Sequence, residues 1–288
     1  MNLKEVKHRI LSVKSTQKIT SAMKLVSSAK LRRAQVAIEN MRPYQQKLHE
    51  MLFALLQNVQ SDAGDYTTVR EVRKVAIVAV SSDTGLCGSF NANVARLMSD
   101  TVAEYKAMGA EVQVYTVGKK MYDSVMKLGI RPLVQLMEQT GPVNYNVVAE
   151  TAFTLMQQFK AGGIDKVDLI FTRFESMSRH VPVREPLLPL IINAESADAT
   201  DFSYNFILEP GRVELLKALL PRTIALHLYT VLLDSIAAEH AARMIAMQLA
   251  TDNADELIST LTLEYNKGRQ QAITSEILDI VSGSAHEE

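Results

Sequence analysis

The chain has 288 residues, 47% hydrophobic and 22% charged: enough for one or two domains with a core, and too apolar for a disordered polymer. Its single cysteine excludes an internal disulfide or a multi-cysteine zinc site and points to a cytosolic compartment, and eight Phe, nine Tyr and no Trp argue against a base-stacking nucleic-acid module. The formal net charge of -1 hides an asymmetry: residues 1–33 hold nine cations and one anion, while residues 234–288 hold ten anions and three cations. A basic end suits nucleic acid or acidic lipid, but the opposite charge at the other end offers a simpler partner, the chain's own C-terminus.

Residues 3–58 read as helix. Val6, Ile10 and Val13, then Ile19, Met23 and Val26, then Leu31, Ala34, Ile38 and Met41 repeat a spacing of three and four, a coiled-coil stripe whose phase shifts between segments. After Pro43, which should kink or interrupt the helix, the stripe resumes at Leu48, Leu52, Leu55 and Val59. At about 1.5 Å per residue such a segment runs about 84 Å. A polar connection, Ser61-Asp62-Ala63-Gly64-Asp65, separates this rod from the middle of the chain.

The middle, residues 73–195, changes period. Residues 75–80 form an uninterrupted apolar run and read as a strand buried on both faces; six residues fall far short of the about 20 a membrane span needs. Helices are predicted over 90–108, 119–128 and 147–160, and strands over 112–117, 133–137 and 167–174. Alternating strands and helices indicate a Rossmann-like α/β domain with a mostly parallel sheet. Pro182, Pro186 and Pro189 confine the next apolar stretch to an edge strand or irregular segment.

Between 222 and 281 the only glycine is Gly268 and proline is absent, with Pro221 suited to a first helical turn. Ile224, Leu228, Val231, Ala238, Ala242, Ile245 and Leu249 carry an apolar stripe, continued by Leu257, Leu261 and Tyr265 and closed by a broad apolar tip of Ile273, Ile277, Leu278, Ile280 and Val281. Ser, Thr and Ala crowd both terminal segments, which lets two backbones approach closely. Matched lengths and opposite charges predict a long antiparallel coiled coil of the N- and C-terminal helices, 1–58 against 210–288, with a residue near Ser12 facing 266–274.

The stretch most suggestive of chemistry follows the first strand: Ser81-Ser82-Asp83-Thr84-Gly85-Leu86-Cys87-Gly88-Ser89-Phe90-Asn91. Glycines between a strand and a helix can cradle phosphate, but this is neither G-x-G-x-x-G nor a P-loop. A cysteine at such a turn would need a base, and His180 is the only histidine in the middle region. A tight turn with Cys87 packed as a small hydrophobe is the reading that the residues favour. The six histidines are dispersed, with no metal-binding spacing, so no metal or cofactor is expected.

Three groups of residues carry a resemblance. They are residues 12–26 (SVKSTQKITSAMKLV); Gly85-Leu86-Cys87-Gly88 with Asn91; and 241–244 (AARM), 250–254 (ATDNA), 265–277 (YNKGRQQAITSEI) and 279–283 (DIVSG). In this order they resemble the gamma subunit of the bacterial F-type ATP synthase over essentially the whole chain. The resemblance implies a non-catalytic central rotor with no nucleotide site, coupling proton flow to ATP synthesis. Its coiled coil would lie within a head of alpha and beta subunits. Its foot would rest on the membrane c-subunit ring and bind epsilon, at the cytoplasmic face of the inner membrane, with no nucleic acid among the partners. It implies beta-subunit contacts for Arg269 and Gln270, and a position near the c ring for Arg32, Arg33 and Glu209. Thr84, Ser89 and Ser284 depart from the family's usual Arg, Gly and Ala. The competing reading is a cysteine hydrolase or amidotransferase-like α/β enzyme using Cys87 and His180, with the helices as a dimerisation arm; it should turn over by itself.

Overall fold

The computed structural model describes residues 3–56, 66–135, 143–190 and 208–284. It divides into two compact units, Met1–Ser28 with Arg243–Glu288, and Ala29–Ala242. Two helices, α1 (Leu3–Leu56) and α5 (Arg212–Ser284), contribute to both.

In the larger unit, β1 (Lys74–Val80), α2 (Phe90–Ala107), β2 (Glu111–Val117), α3 (Lys119–Lys127), β3 (Val134–Gln135), α4 (Tyr145–Lys160), β4 (Lys166–Phe174) and β5 (His180–Leu188) follow in chain order. The sheet order is β3-β2-β1-β4-β5, parallel except for the antiparallel pair β4-β5. This is the α/β fold with a mostly parallel sheet that the alternating periods predict. Strand β1 is central, and its side chains from Val75 to Val80 are fully buried, as an uninterrupted Val/Ala/Ile run requires. The three prolines fit the observed arrangement because β5 lies at the edge, where a missing N–H can face outward.

Each face of the sheet has its own core. Val75, Ile77, Ala79, Val114 and Ile170 pack against Val94, Met98 and Val102 of α2 and Met121 and Val125 of α3. Ala76, Val78, Val80, Leu169 and Phe171 pack against Leu155, Met156 and Phe159 of α4 and Ile224, Leu228, Val231 and Leu232 of α5. At about 1.5–3 kcal/mol per fully buried large aliphatic side chain, α5 is held to the sheet by burial. By length and composition α5 could also cross a membrane. Its apolar residues between Leu216 and Ala242 are nevertheless spent on this core.

The helix starts at Arg212, so Pro221 lies inside it rather than in its first turn. The helix continues past the missing N–H because its apolar face is continuous: Leu216 and Leu220 pack with Leu52 and Leu55 of α1. Helix α1 likewise runs uninterrupted through Pro43. The predicted third strand is described only as Val134–Gln135; residues 136 and 137, and the polar connection at 61–65, lie outside the described residues.

In the smaller unit α1 and α5 pair antiparallel. Thr20 meets Thr251, Gln17 meets Asp255, and Leu3 lies against Gly268. That register puts Ser12 opposite about Ser259, one heptad short of the expected 266–274. The seam on α1 runs through the half-buried Leu3, Ile10, Val13, Gln17 and Lys24 and the buried Val6, Thr20 and Ser27. On α5 the buried apolar positions are Met247, Ala254 and Leu261.

Candidate functional site

In an open parallel sheet, ligands bind beyond the carboxyl ends of the strands where the strand order reverses, which here is beside β1. The Ser81–Asn91 turn occupies that place. Asn91 straps it together. Its Oδ1 accepts from Ser82 N (3.1 Å), and its Nδ2 donates to Ser82 Oγ (2.8 Å) and to Cys87 Sγ (3.2 Å). Leu86 holds a left-handed backbone (φ 62°) with its side chain exposed, and Gly88 follows at φ 59°. The turn is therefore strained and internally bonded, with its glycine where only glycine is at ease.

The N-terminus of α3, which could cradle a phosphate, is already engaged. At α3, Met121 N donates to Ser81 Oγ (2.7 Å), Lys119 N to Asp83 Oδ1 (2.9 Å) and Lys120 N to Ser82 O (3.1 Å). Gly118, at φ 89°, brings β2 so close to the turn that a Cβ there would lie 2.3 Å from Ser81 O. Above the turn, Ala238 and Ala242 of α5 pack on Cys87 and Phe90, with Phe174 alongside. The crevice in which an enzyme of this architecture would hold its ligand is filled by a helix. Small side chains on α5 let it seat there.

Cys87 is 1% exposed, and its Sγ accepts from Asn91 Nδ2 (3.2 Å), with Ser82 Oγ at 3.8 Å and Thr84 O at 3.9 Å. His180 opens β5 with its Nδ1 buried and unpartnered, and burial lowers its pKa, so it stays neutral without touching the thiol. No nucleophile–base pair forms between them. Among the described residues no group of three or more His, Cys, Asp or Glu side chains could hold a metal.

A polar cluster that the strand pattern did not anticipate lies on the α2 face of the sheet. Asp168, 1% exposed, stands in the apolar run of β4. Its Oδ2 accepts from Arg184 Nε (2.6 Å) and Tyr105 OH (2.6 Å), and its Oδ1 lies 3.5 Å from Lys166 Nζ. Arg184 stacks over the Tyr105 ring at 4.6 Å, bonds its hydroxyl, and reaches Glu104 at 2.8 Å. Burial, reinforced by the bond to Asp168, raises the Tyr105 pKa. The network ties edge strand β5 to β4 and α2. The available signal was one aspartate inside the run 167–171.

The five residues implied as subunit contacts are all on the surface. Arg32 and Arg33, on α1, and Glu209, just before α5, belong to the larger unit; Arg269 and Gln270, on α5, belong to the smaller one. None of their side chains has a hydrogen bond or ion pair among the described residues.

The ATP synthase family model matches residues 2–285. The chain belongs to the ATP synthase gamma-chain family. It is 46% identical to the ATP synthase gamma chain of Bacteroides thetaiotaomicron, over 98% of this chain and 99% of that protein. Against the gamma chain of Flavobacterium psychrophilum it is 42% identical, over 98% of each. Its fold is that of a chain in the mitochondrial ATP synthase of Euglena gracilis (OSCP/F1/c-ring; TM-score 0.67, 18% identity, 98% of this chain and 93% of that one). It also matches one in the central stalk/c-ring of the Tetrahymena thermophila enzyme (TM-score 0.60, 23% identity, 81% of this chain and 99% of that one). A gamma chain is the non-catalytic central-stalk rotor subunit of an F-type ATP synthase, and the cysteine-hydrolase reading has no support beside this family match.

Proposed function

We propose that this gamma chain works as the shaft that couples proton flow through a membrane c-subunit ring to ATP synthesis in an alpha/beta head. The helices at 1–58 and 210–288 form the shaft, and the α/β body at 73–195 forms a foot that also binds epsilon, at the cytoplasmic face of the inner membrane. The observation that carries this reading is the full-length family match, joined to a fold whose ligand crevice is filled by its own helix.

Two further features agree with it. Ile273, Ile277, Leu278 and Ile280 are exposed on the last turns of α5, which suits an apolar bearing better than contact with water. Arg269 and Gln270 extend unpaired beside this tip, and a guanidinium presents a fixed fork of donors to a partner's carboxylates or carbonyls. Arg32, Arg33 and Glu209 are proposed to meet the foot's partners in the same way.

The test has two parts. Purification from solubilised membranes should recover alpha, beta, epsilon and c subunits with this chain. The assembled complex carrying Arg269→Ala should keep its ADP affinity while ATP-driven proton uptake falls, because one lost charged contact costs about 1–3 kcal/mol at that interface. Collapse of ADP affinity in a properly assembled complex would put Arg269 in a nucleotide site and refute the assignment.

A further inference from the structure

The smaller unit has a seam whose lower half is apolar on α1 (Leu3, Val6, Ile10, Val13) and whose upper half is polar (Gln17, Thr20, Lys24, Ser27). The two halves carry different information. A heptad stripe repeats every seven residues, so apolar packing tolerates a slide of one heptad at modest cost. A polar layer resists it most in the direction that sets Thr20 against Met244, where Thr251 and Asp255 would face Val13 and Ile10; in the other direction they would face Ser27 and Lys24.

Here the layer is made of two cross-helix pairs. Thr20 Oγ1 lies 2.8 Å from Thr251 Oγ1, with Thr20 9% exposed. One turn along, Gln17 Nε2 donates to Asp255 Oδ1 at 2.5 Å. The two hydroxyls also lie near carbonyls of their own helices, Gln17 O at 3.0 Å and Met247 O at 2.8 Å. Two protons serve three contacts, so one hydroxyl donates across the seam while the other bonds back to its own turn. A slide of one heptad would put Thr20 against Met244 or Ile258, and Thr251 against Val13 or Ser27. It would also separate Gln17 from Asp255. The layer therefore opposes above all the slide that sets Thr20 against Met244.

We propose that Gln17, Thr20, Thr251 and Asp255 are the register pin of the paired helices: positioning residues that stop the two strands from sliding past one another. The pin does not depend on the rotor reading; its consequence for torque does. A shaft that can slip by a heptad stores rotation in sliding instead of delivering it.

The test uses the full chain in a Cys87→Ser background. One cysteine replaces Val6, and a second replaces Tyr265, Ile258 or Ala272. The first pair reports the observed register, and the other two report slides of one heptad in either direction. With the layer intact, only the Val6–Tyr265 positions should close a disulfide. Thr20→Val with Thr251→Val keeps the side-chain shapes and removes both hydroxyls, a change that is near neutral for folding. It should raise a slipped cross-link about tenfold, and Thr20→Ser with Thr251→Ser should suppress it again. Gln17→Ala with Asp255→Ala, at exposed positions, is a second variant expected to act in the same direction. If neither variant raises a slipped cross-link, the pin is wrong. In the reconstituted complex, the valine pair should also lower proton uptake per ATP hydrolysed. Slipped cross-links with an unchanged ratio would refute the link to coupling and not the pin.

Discussion

Replacing Arg184 with Met tests what the Asp168 network does. Arg184 supplies the closest positive charge to a carboxylate that is 1% exposed. Removing one member of a buried pair costs about 3–5 kcal/mol, because the other charge is stranded in a poor solvent. Asp168 would keep its bond from Tyr105 and the ammonium of Lys166 at 3.5 Å, so the lower end of that range applies, about 3 kcal/mol. The Glu104 contact adds little, since Glu104 is half exposed. Asp168→Asn should cost less, about 1–2 kcal/mol, because the freed guanidinium is 24% exposed and can turn toward water and Glu104. The double variant should recover part of the Arg184→Met loss. Urea unfolding followed by far-ultraviolet circular dichroism, with amide exchange on β4 and β5, measures all three. If Asp168→Asn is as damaging as Arg184→Met and the double variant is additive, a stranded charge is not the cause and the reasoning fails.

Three more outcomes are expected. Gly268→Ala should be neutral or stabilise the chain by up to about 1 kcal/mol in thermal unfolding: the new methyl would lie 3.2 Å from Leu3 Cδ2, the movable end of a flexible side chain, while helix propensity improves. Burial lowers the pKa values of His180 and His227, so the unfolded chain takes up protons first as pH falls. The stability these groups confer is complete above about pH 6.5 and is lost below it; melting temperature should fall between pH 7.5 and 5.5, less steeply in His227→Gln. Burial raises the pKa of Asp234 against the opposing pull of Arg173 and Arg42, so its charged form costs stability at neutral pH. Asp234→Asn should raise the melting temperature at pH 7.5, with the gain shrinking as acid protonates the native carboxyl; a gain that grows on acidification would contradict the sign.

Much of the fold was legible because it rests on period. The run at 75–80 read as an interior strand, and the prolines after 180 kept their stretch out of the sheet's interior, to an edge or an irregular segment. Pro221 was misread as a first-turn residue because it is a strong local signal, whereas the contact of Leu216 and Leu220 with Leu52 and Leu55 is long-range. The coil register was misread by one heptad for a related reason: the apolar stripe repeats, and the charge pattern is too coarse to choose among equivalent alignments. The Gly85–Gly88 turn was recognisable as a turn. That it lies beneath Ala238 and Ala242, more than a hundred residues away, was not, because alanines in a helix signal propensity before they signal close approach. Arg32, Arg33, Glu209, Arg269 and Gln270 came from family resemblance alone; their exposure is in keeping with outward contacts but could not have singled them out.

The seating of α5 over Cys87 also equips the chain with its own chemical sensor. The thiol is the only one present and lies beneath the alanines of the helix. A water-soluble thiol reagent can reach it only when that helix lifts or the turn opens. The rate of modification in the unaltered protein therefore times the opening of this joint, free or assembled, without an engineered label.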